Sequence, residues 1–243
     1  MRMIFSRKGF DSTAGGVPSP IVAGRPLSLP IPAASRSEAT YGALGHGEIV
    51  NRLTKGRIAA SDTCHDDPMF ADGYCWFGQC GAAQGHLRKQ GVGAGDTFLF
   101  FGLFADEDTG EPHHRIFATM TVDACGSPDE VRSDAKWRDP PRPHPHMAGE
   151  WDRNNTLYFG QAAVARRASK ALRLTIERGP LNRWRVPPWL GELGLSYHAR
   201  PGRWAVPGEL DSVKRGQEFV CDIGEDERAH AWLAGIVAEI GRG

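Results

Sequence analysis

The sequence of 243 residues has no net charge, because 29 lysine and arginine residues balance 29 aspartate and glutamate residues. This balance argues against a protein that binds nucleic acid mainly through a large excess of positive charge. A local cluster of basic residues is compatible with it, and so is a substrate of nucleotide size.

Long apolar stretches and paired cysteines are also missing. No run of about 18 apolar residues occurs, so no membrane span is predicted, and the basic residues at the start are followed by no apolar stretch of signal-peptide length. The five cysteines are irregularly spaced without a C-x-x-C pair, which argues against a zinc ribbon and a disulfide framework. We therefore expect a cytoplasmic protein that makes no contact with membranes.

The composition is that of a globular protein with a hydrophobic core, since 40% of the residues are hydrophobic and 24% are charged. No internal repeat is visible, and we predict one domain over residues 1–243. The 30 glycines and 17 prolines predict long, ordered loops. One such loop is expected at residues 7–32, where five prolines disfavour a helix and most positions in the centre of a sheet.

Hydrophobic periodicity predicts six strands and three helices. The strands are expected at residues 3–6, 97–104, 115–122, 156–159, 172–176 and 217–222, and the helices at 48–55, 79–90 and 227–240. The pattern predicts an α+β fold with a mixed or antiparallel sheet, flanking helices and long loops rich in proline and glycine. The strands at 97–104 and 115–122 form a predicted antiparallel hairpin that follows a Gly-Asp turn. This order is similar to small barrels of the PUA and ASCH type, so a partial barrel is an alternative form of the sheet.

The first candidate site follows the first predicted strand, where Arg7 and Lys8 precede Asp11 and the pair Gly15-Gly16. Two cations beside small residues with free backbone N–H groups are suited to bind an anion such as phosphate. Neither standard phosphate-binding motif, G-x-x-x-x-G-K-[ST] or G-x-G-x-x-G, is present. The alternative is a glycine-rich turn in which Asp11 caps its own loop.

The second candidate site is the run His65-Asp66-Asp67-Pro68. A histidine beside carboxylates in a loop can act as a general base that its neighbour orients. The same run offers two metal ligands, but no further histidine or cysteine stands at an obvious spacing, so we predict no metal site. The alternative is an acidic turn at the surface. The short tracts His113-His114 and His144-Pro145-His146 resemble metal-binding tracts, but they lie in polar stretches and are expected to be exposed to solvent.

The third candidate site is the predicted helix at residues 79–90, in which Gln79, Ala82, Ala83 and His86 share one face. A face of small residues that carries an amide and an imidazole would let a ligand approach closely. The alternative is tight packing of the helix on the sheet, with His86 hydrogen bonded to a carbonyl.

Several segments together resemble the third type of nucleotide modification associated domain, a family found in bacteria and phages. They cover nearly the whole chain, at residues 5–12, 18–20, 27–32, 65–68, 78–102, 154–158 and 217–220. The family is placed near DNA-base modification by genomic association, so the resemblance implies action on a nucleotide or DNA, beside other base-modification enzymes. It implies no particular reaction. An apolar residue is expected in the family at the position of Asp66, which makes Asp67 the better candidate for a functional carboxylate.

These observations favour an enzyme that modifies a nucleotide or a nucleic-acid base by group transfer or hydrolysis. Redox chemistry is less favoured, since no dinucleotide-binding motif is present. His65 and Asp67 would transfer protons, the cations would hold phosphate, and an amide can pair with the edge of a base. The residues assigned to substrate binding are Arg7, Lys8, Asp11, Gln79 and His86. The sequence identifies no cofactor.

Two other functions are compatible with the same residues. A barrel-like module could recognise a modified base without changing it, with Trp76, Trp184 or Trp204 stacking on the base. A non-catalytic partner subunit of a modification complex would fit the absence of net charge. An enzyme requires that residues 7–11, 65–67 and 79–86 line one pocket at the end of the first strand.

Overall fold

The computed structural model of the protein describes residues 1–33, 37–214 and 216–242. The strands are β1 (Arg2–Arg7), β2 (Ser19–Val22), β3 (Arg25–Pro26), β4 (Ile31–Pro32), β5 (Cys64–His65), β6 (Met69–Ala71), β7 (Tyr74–Gln79), β8 (Thr97–Asp106), β9 (Pro112–Gly126), β10 (Thr156–Val164), β11 (Arg183–Arg185), β12 (Glu209–Asp211) and β13 (Glu218–Asp222). The helices are α1 (Gly47–Leu53), α2 (Gly81–Lys89), α3 (Pro128–Arg132), α4 (Trp189–Leu193) and α5 (Glu227–Gly241).

Nine strands form one mixed sheet. Seven of them follow the order β13-β1-β8-β9-β10-β7-β6, while β2 pairs with β8 and β3 pairs with β2. β1 runs parallel to β8 and antiparallel to β13, whereas β8, β9 and β10 are antiparallel neighbours. The order does not return on itself, so within the described parts of the chain the sheet is not closed into a barrel. The predicted α+β fold with a mixed sheet and flanking helices is confirmed.

Strand β8 is buried on both faces of the sheet, because most of its residues are apolar in one continuous run. Phe98 and Phe100 belong to one hydrophobic core, to which helix α2 contributes Leu87. Leu99 and Phe101 belong to the other core, to which helix α5 contributes apolar residues. The sheet therefore separates two cores and fixes the ends of its central strands.

One predicted strand, at residues 172–176, is wrong. The chain forms a 3-10 turn at Lys170–Leu172, and Arg173 and Thr175 make only single bridges to neighbouring segments. The backbone N–H groups of Leu174 and Thr175 both donate to the carbonyl of His114, at 2.9 and 3.2 Å. A regular ladder is therefore not formed, although the residues have strand propensity.

The predicted loop at residues 7–32 is wrong in part, because it contains β2, β3 and β4. Proline lacks the backbone donor but keeps its acceptor. The carbonyl of Pro20 accepts from the N–H of Leu27 at 3.0 Å, and Ser19–Val22 runs parallel to the end of β8. Strands of two to four residues thus tolerate the prolines that a longer central strand would exclude.

The three predicted helices correspond in position to α1, α2 and α5, whereas the short helices α3 and α4 were not predicted. α2 ends at Lys89 and is followed at Gly91 by a left-handed residue with φ of +71°, as expected of a glycine after a helix. α5 turns Leu233, Ile236 and Ile240 toward the core. No helix in the described ranges has the length and apolar character needed to cross a membrane.

A fully buried histidine beside β13 is held in its neutral form. Nδ1 of His198 lies 2.7 Å from the carbonyl of Ser196, and Nε2 accepts a hydrogen bond from the N–H of Val213 at 3.1 Å. Since Nε2 is an acceptor, the proton is on Nδ1. Burial lowers the pKa of His198 from its usual 6.5 to about 4.

We expect this histidine to make the fold less stable in acid. Because its folded-state pKa lies below its unfolded value, its contribution is complete above pH 6.5 and is lost as the pH falls toward 4. In His198→Asn, which keeps a side-chain donor, the free energy of unfolding should depend less on pH, by up to about 1.4 kcal/mol for each pH unit. Urea unfolding of the wild type and of His198→Asn at pH 6.5, 5.5 and 4.5 gives the slope of the free energy of unfolding against pH for each protein. Equal slopes in the two proteins would contradict the assignment.

Candidate functional site

One pocket gathers most of the predicted site residues. It has a volume of about 380 Å³ and lies where β1, β5 and β7 end. The predicted site residues that line it are Arg7, Lys8, Asp11, His65, Asp67 and Gln79. The predicted convergence is therefore confirmed for these six, whereas their roles stay predictions.

Asp67 ties the segment of His65 to β7. Its Oδ1 accepts a hydrogen bond from the backbone N–H of Gly78 at 2.8 Å and lies 3.2 Å from Nε2 of His144, while Oδ2 lies 3.7 Å from Nε2 of His65. Burial raises the pKa of Asp67, but the contacts with His144 and His65 outweigh burial and bring the pKa well below its usual range. Asp67 therefore remains a carboxylate and is a weak proton acceptor.

His144 donates to Asp67 because its other ring nitrogen is occupied as an acceptor. Nδ1 of His144 accepts a hydrogen bond from the backbone N–H of His146 at 3.2 Å. A neutral ring whose Nδ1 accepts carries its proton on Nε2, which faces Oδ1 of Asp67. The expectation that His144 and His146 are exposed is wrong, since the turn Pro145–Met147 buries both side chains against β7.

The ring of His146 is fixed by Asn155. Nδ1 of His146 lies 2.6 Å from Oδ1 of Asn155, and the amide nitrogen of Asn155 donates to the carbonyl of His146 at 2.8 Å. Oδ1 is therefore the acceptor, and Nδ1 carries the proton, which leaves a lone pair on Nε2. Trp151 stacks on the ring with the centroids 3.9 Å apart. Burial lowers the pKa of His146 to about 4, so the ring is neutral at neutral pH.

Gly78 leaves the space that the ring of His146 occupies. A Cβ atom at position 78 would lie 2.1 Å from Cγ of His146. The residue thus has two effects on the site, because its N–H holds Asp67 and its missing side chain admits the imidazole.

His65, Asp67 and His146 form a cluster at the pocket wall. Each offers one nitrogen or oxygen atom, and these atoms all lie within 4.8 Å of one another. All three residues line the pocket. The third side chain, His146, was missed from the sequence because its distance from His65 follows no regular spacing. The His-Pro-His triplet was the only signal that could have indicated it.

Lys8 and Gln79 line the pocket, but their polar groups are bound by the protein itself. Nζ of Lys8 and Nε2 of Gln79 both donate to Oε1 of Glu218, at 3.0 and 2.8 Å. The ammonium also lies 4.1 Å from the ring centroid of Phe77. Oε1 of Gln79 accepts from the N–H of the next residue at 3.1 Å. The ammonium group of Lys8 and the amide group of Gln79 are therefore less available for the phosphate and base contacts that the sequence predicted.

Asp11 caps its own turn, which was the alternative interpretation of this segment. Its Oδ1 accepts from the N–H groups of Thr13 and Ala14 at 2.7 and 2.8 Å, so these two donors are not free for an anion. Arg7 keeps its place at the pocket, where one Nη donates to the carbonyl of Lys214 at 3.1 Å. Burial lowers the pKa of Arg7, and Asp11 opposes this shift. Besides Lys8, whose charge is paired with Glu218, the described lysine and arginine residues that line the pocket are Arg7 and the exposed Lys214.

His86 lies apart from the residues that line this pocket. Its Nε2 is 3.0 Å from Oγ of Ser196, and its ring lies 4.4 Å from that of Tyr197. Gln79 belongs to β7 and α2 begins at Gly81, so Gln79 and His86 do not share a helix face as the sequence predicted. Burial lowers the pKa of His86.

The remaining candidates from the sequence serve the fold. Asp66 forms an ion pair with Arg142 and lines a neighbouring pocket. Trp76 and Trp184 are 3% and 0% exposed, so neither can stack on a base as the binding-module hypothesis suggested. Trp204, the third candidate of that hypothesis, is half-buried and donates its indole N–H to the carbonyl of His198 at 2.8 Å. His113-His114 lies within β9, where His113 is buried, in contrast to the expected polar loop.

The comparison with known proteins agrees with the resemblance found in the sequence. Residues 2–222 match the profile of one family, described as nucleotide modification associated domain 3. No curated protein and no solved structure matches the chain. The matched residues cover far more than half of the sequence and include every residue that lines the pocket. The chain therefore belongs to the nucleotide modification associated domain 3 family.

Proposed function

We propose that the protein is an enzyme that modifies a nucleotide or a nucleic-acid base, by group transfer or hydrolysis, in the pocket described above. Membership of the family supports action on nucleotides. The observation that carries the enzyme assignment is the cluster of His65, Asp67 and His146, in which side chains from distant segments meet at one pocket wall. Polar groups that serve packing alone have no reason to meet at a shared opening.

The cations at the pocket favour an anionic substrate. Arg7 and Lys214 both line it, whereas the charge of Lys8 is paired with Glu218. We therefore assign phosphate binding to Arg7 and Lys214, since guanidinium and ammonium groups both bind phosphate oxygens. His65, Asp67 and His146 then form the reacting centre.

The test is a gene deletion that is complemented with wild-type protein or with variants of the reacting centre. Nucleosides from DNA and from the soluble nucleotide pool are measured by mass spectrometry. We expect a modified nucleoside that depends on the gene and falls by about 100-fold or more with His65→Ala or Asp67→Asn. The control is His230→Ala, whose imidazole contacts the carbonyl of Gly224 beside α5 and should support the wild-type level.

Two results would overturn this proposal. An identical nucleoside composition with and without the gene would remove the protein from nucleotide modification. Full complementation by both His65→Ala and Asp67→Asn would show that the gene is needed but that this pocket performs no chemistry, which is the outcome expected of a non-catalytic partner subunit.

A further inference from the structure

The cluster of His65, Asp67 and His146 has the ligand types of a transition-metal site, with two imidazoles and one carboxylate. Nε2 of His65 and Oδ2 of Asp67 are 3.7 Å apart, and all three ligand atoms lie within 4.8 Å of one another. Two ligand atoms about 2.1 Å from one ion are about 3.4 Å apart at the tetrahedral angle. The pair from His65 and Asp67 is already close to this separation, and any wider pair would have to close by up to about 1.4 Å.

Outer contacts orient two of the ligands toward the cluster. Nδ1 of His146 donates to Asn155, and Oδ1 of Asp67 is held by the N–H of Gly78 and by His144. A metal-binding histidine almost always donates the N–H of its other ring nitrogen to an oxygen or a water molecule, and metal-binding carboxylates are themselves hydrogen bonded. One atom of each side chain, Nε2 of His146 and Oδ2 of Asp67, therefore keeps a lone pair that can bind an ion.

A proton-transfer pair does not account for His146. Such a pair needs one imidazole and one carboxylate, which His65 and Asp67 already supply. The proton of His146 is fixed on Nδ1 beside Asn155, so Nε2 carries the lone pair that would bind an ion. A second buried imidazole in this orientation is explained by an ion that all three side chains share.

We propose that His65, Asp67 and His146 bind one divalent first-row transition-metal ion, of the class of Zn²⁺, Mn²⁺ or Fe²⁺. Three protein ligands beside an open pocket are the arrangement of catalytic metal sites, in which water or substrate takes the remaining positions. Mg²⁺ and Ca²⁺ fit less well, because both prefer oxygen ligands. This inference rests on the proposed function and deepens it, since His65 would be a metal ligand in place of a proton acceptor.

The test is a titration of the metal-free full-length protein with Co²⁺, which reports its coordination through visible absorption. We expect one Co²⁺ per chain, with displacement by Zn²⁺ and no displacement by Mg²⁺. His65→Ala and His146→Ala should each weaken binding by about 100-fold or more, and Asn155→Ala by about 10- to 100-fold. His230→Ala, on α5, should bind Co²⁺ as the wild type does.

Circular dichroism shows whether each variant is folded, and the partly exposed His65 keeps the test informative if His146→Ala fails to fold. Absence of the Co²⁺ signal in the wild type, or wild-type affinity in a folded ligand variant, would overturn the metal site. The titration contains no nucleotide, so its result is separate from the nucleoside assay. A gene-dependent nucleoside without metal binding overturns only the metal site, and metal binding without any gene-dependent nucleoside overturns only the enzyme assignment.

Discussion

Replacement of Gly160 with alanine is expected to lower the free energy of unfolding by about 4 kcal/mol or more. Gly160 lies in β10, buried between β9 and β7. A Cβ atom there would lie 1.8 Å from the carbonyl oxygen of Thr121 and 2.8 Å from the backbone nitrogen of Asp123. Both atoms belong to the backbone of β9, so no side-chain rotation relieves the clash.

Urea unfolding measures this effect, and Gly235→Ala provides the matched control. Gly235 lies in α5, and outside its own helix turn no described atom lies within 4 Å of the position that a Cβ would take, so alanine should stabilise the helix by about 0.5–1 kcal/mol. If Gly160→Ala yields no soluble protein while Gly235→Ala is recovered normally, the clash is large enough to prevent folding, which also agrees with the prediction. An unfolding midpoint of Gly160→Ala equal to that of the wild type would show that the sheet adapts at this position.

The same glycine explains why the sequence predicted β10 too short. The predicted strand ended at residue 159, because a glycine within an apolar run has low strand propensity. The observed strand continues to Val164, with a change of register between Phe159 and Gly160 opposite β9. The neighbouring strands supply the hydrogen bonds that continue the strand, and this information is absent from the local sequence.

The candidate site could be predicted where it depends on the ends of strands. Arg7 is the last residue of β1, so its position at the edge of the sheet was available from hydrophobic patterning. Gln79 was predicted to begin a helix, but it ends β7, a strand that the sequence did not predict. The contact between His65 and His146 could not be predicted from hydrophobic patterning, because it depends on how a long loop folds back over β7. The separation of Gln79 from His86 depends on the start of α2, which the sequence placed two residues too early.

Loss of either charge of the buried pair Lys8–Glu218 is expected to lower the free energy of unfolding by about 3 kcal/mol or more. The two side chains are 10% and 1% exposed, and Nζ of Lys8 lies 3.0 Å from Oε1 of Glu218. Lys8→Met leaves a buried carboxylate without its cation. Glu218→Gln keeps an acceptor for Gln79 but leaves the ammonium without a counter-charge.

The double variant Lys8→Met/Glu218→Gln removes both charges. Together with the single variants it isolates the interaction energy between the two side chains from their interactions with the rest of the protein. We expect its loss of stability to be smaller than the sum of the single losses by about 2 kcal/mol, because neither buried charge remains unpaired. Urea unfolding of the wild type and the three variants at pH 7 gives this coupling energy. Additivity within about 0.5 kcal/mol would mean that the two charges do not depend on each other.

The coupling energy also decides where the pocket can bind an anion. A phosphate that took Lys8 as its partner would have to separate it from Glu218 and leave that carboxylate buried beside a second negative charge. A large coupling energy makes this exchange unfavourable, so the charge of Lys8 serves the fold and keeps Glu218 in position for Gln79. Phosphate binding would then depend on Arg7 and Lys214, which line the same pocket and, among the described residues, have no carboxylate partner as close as the one that holds Lys8.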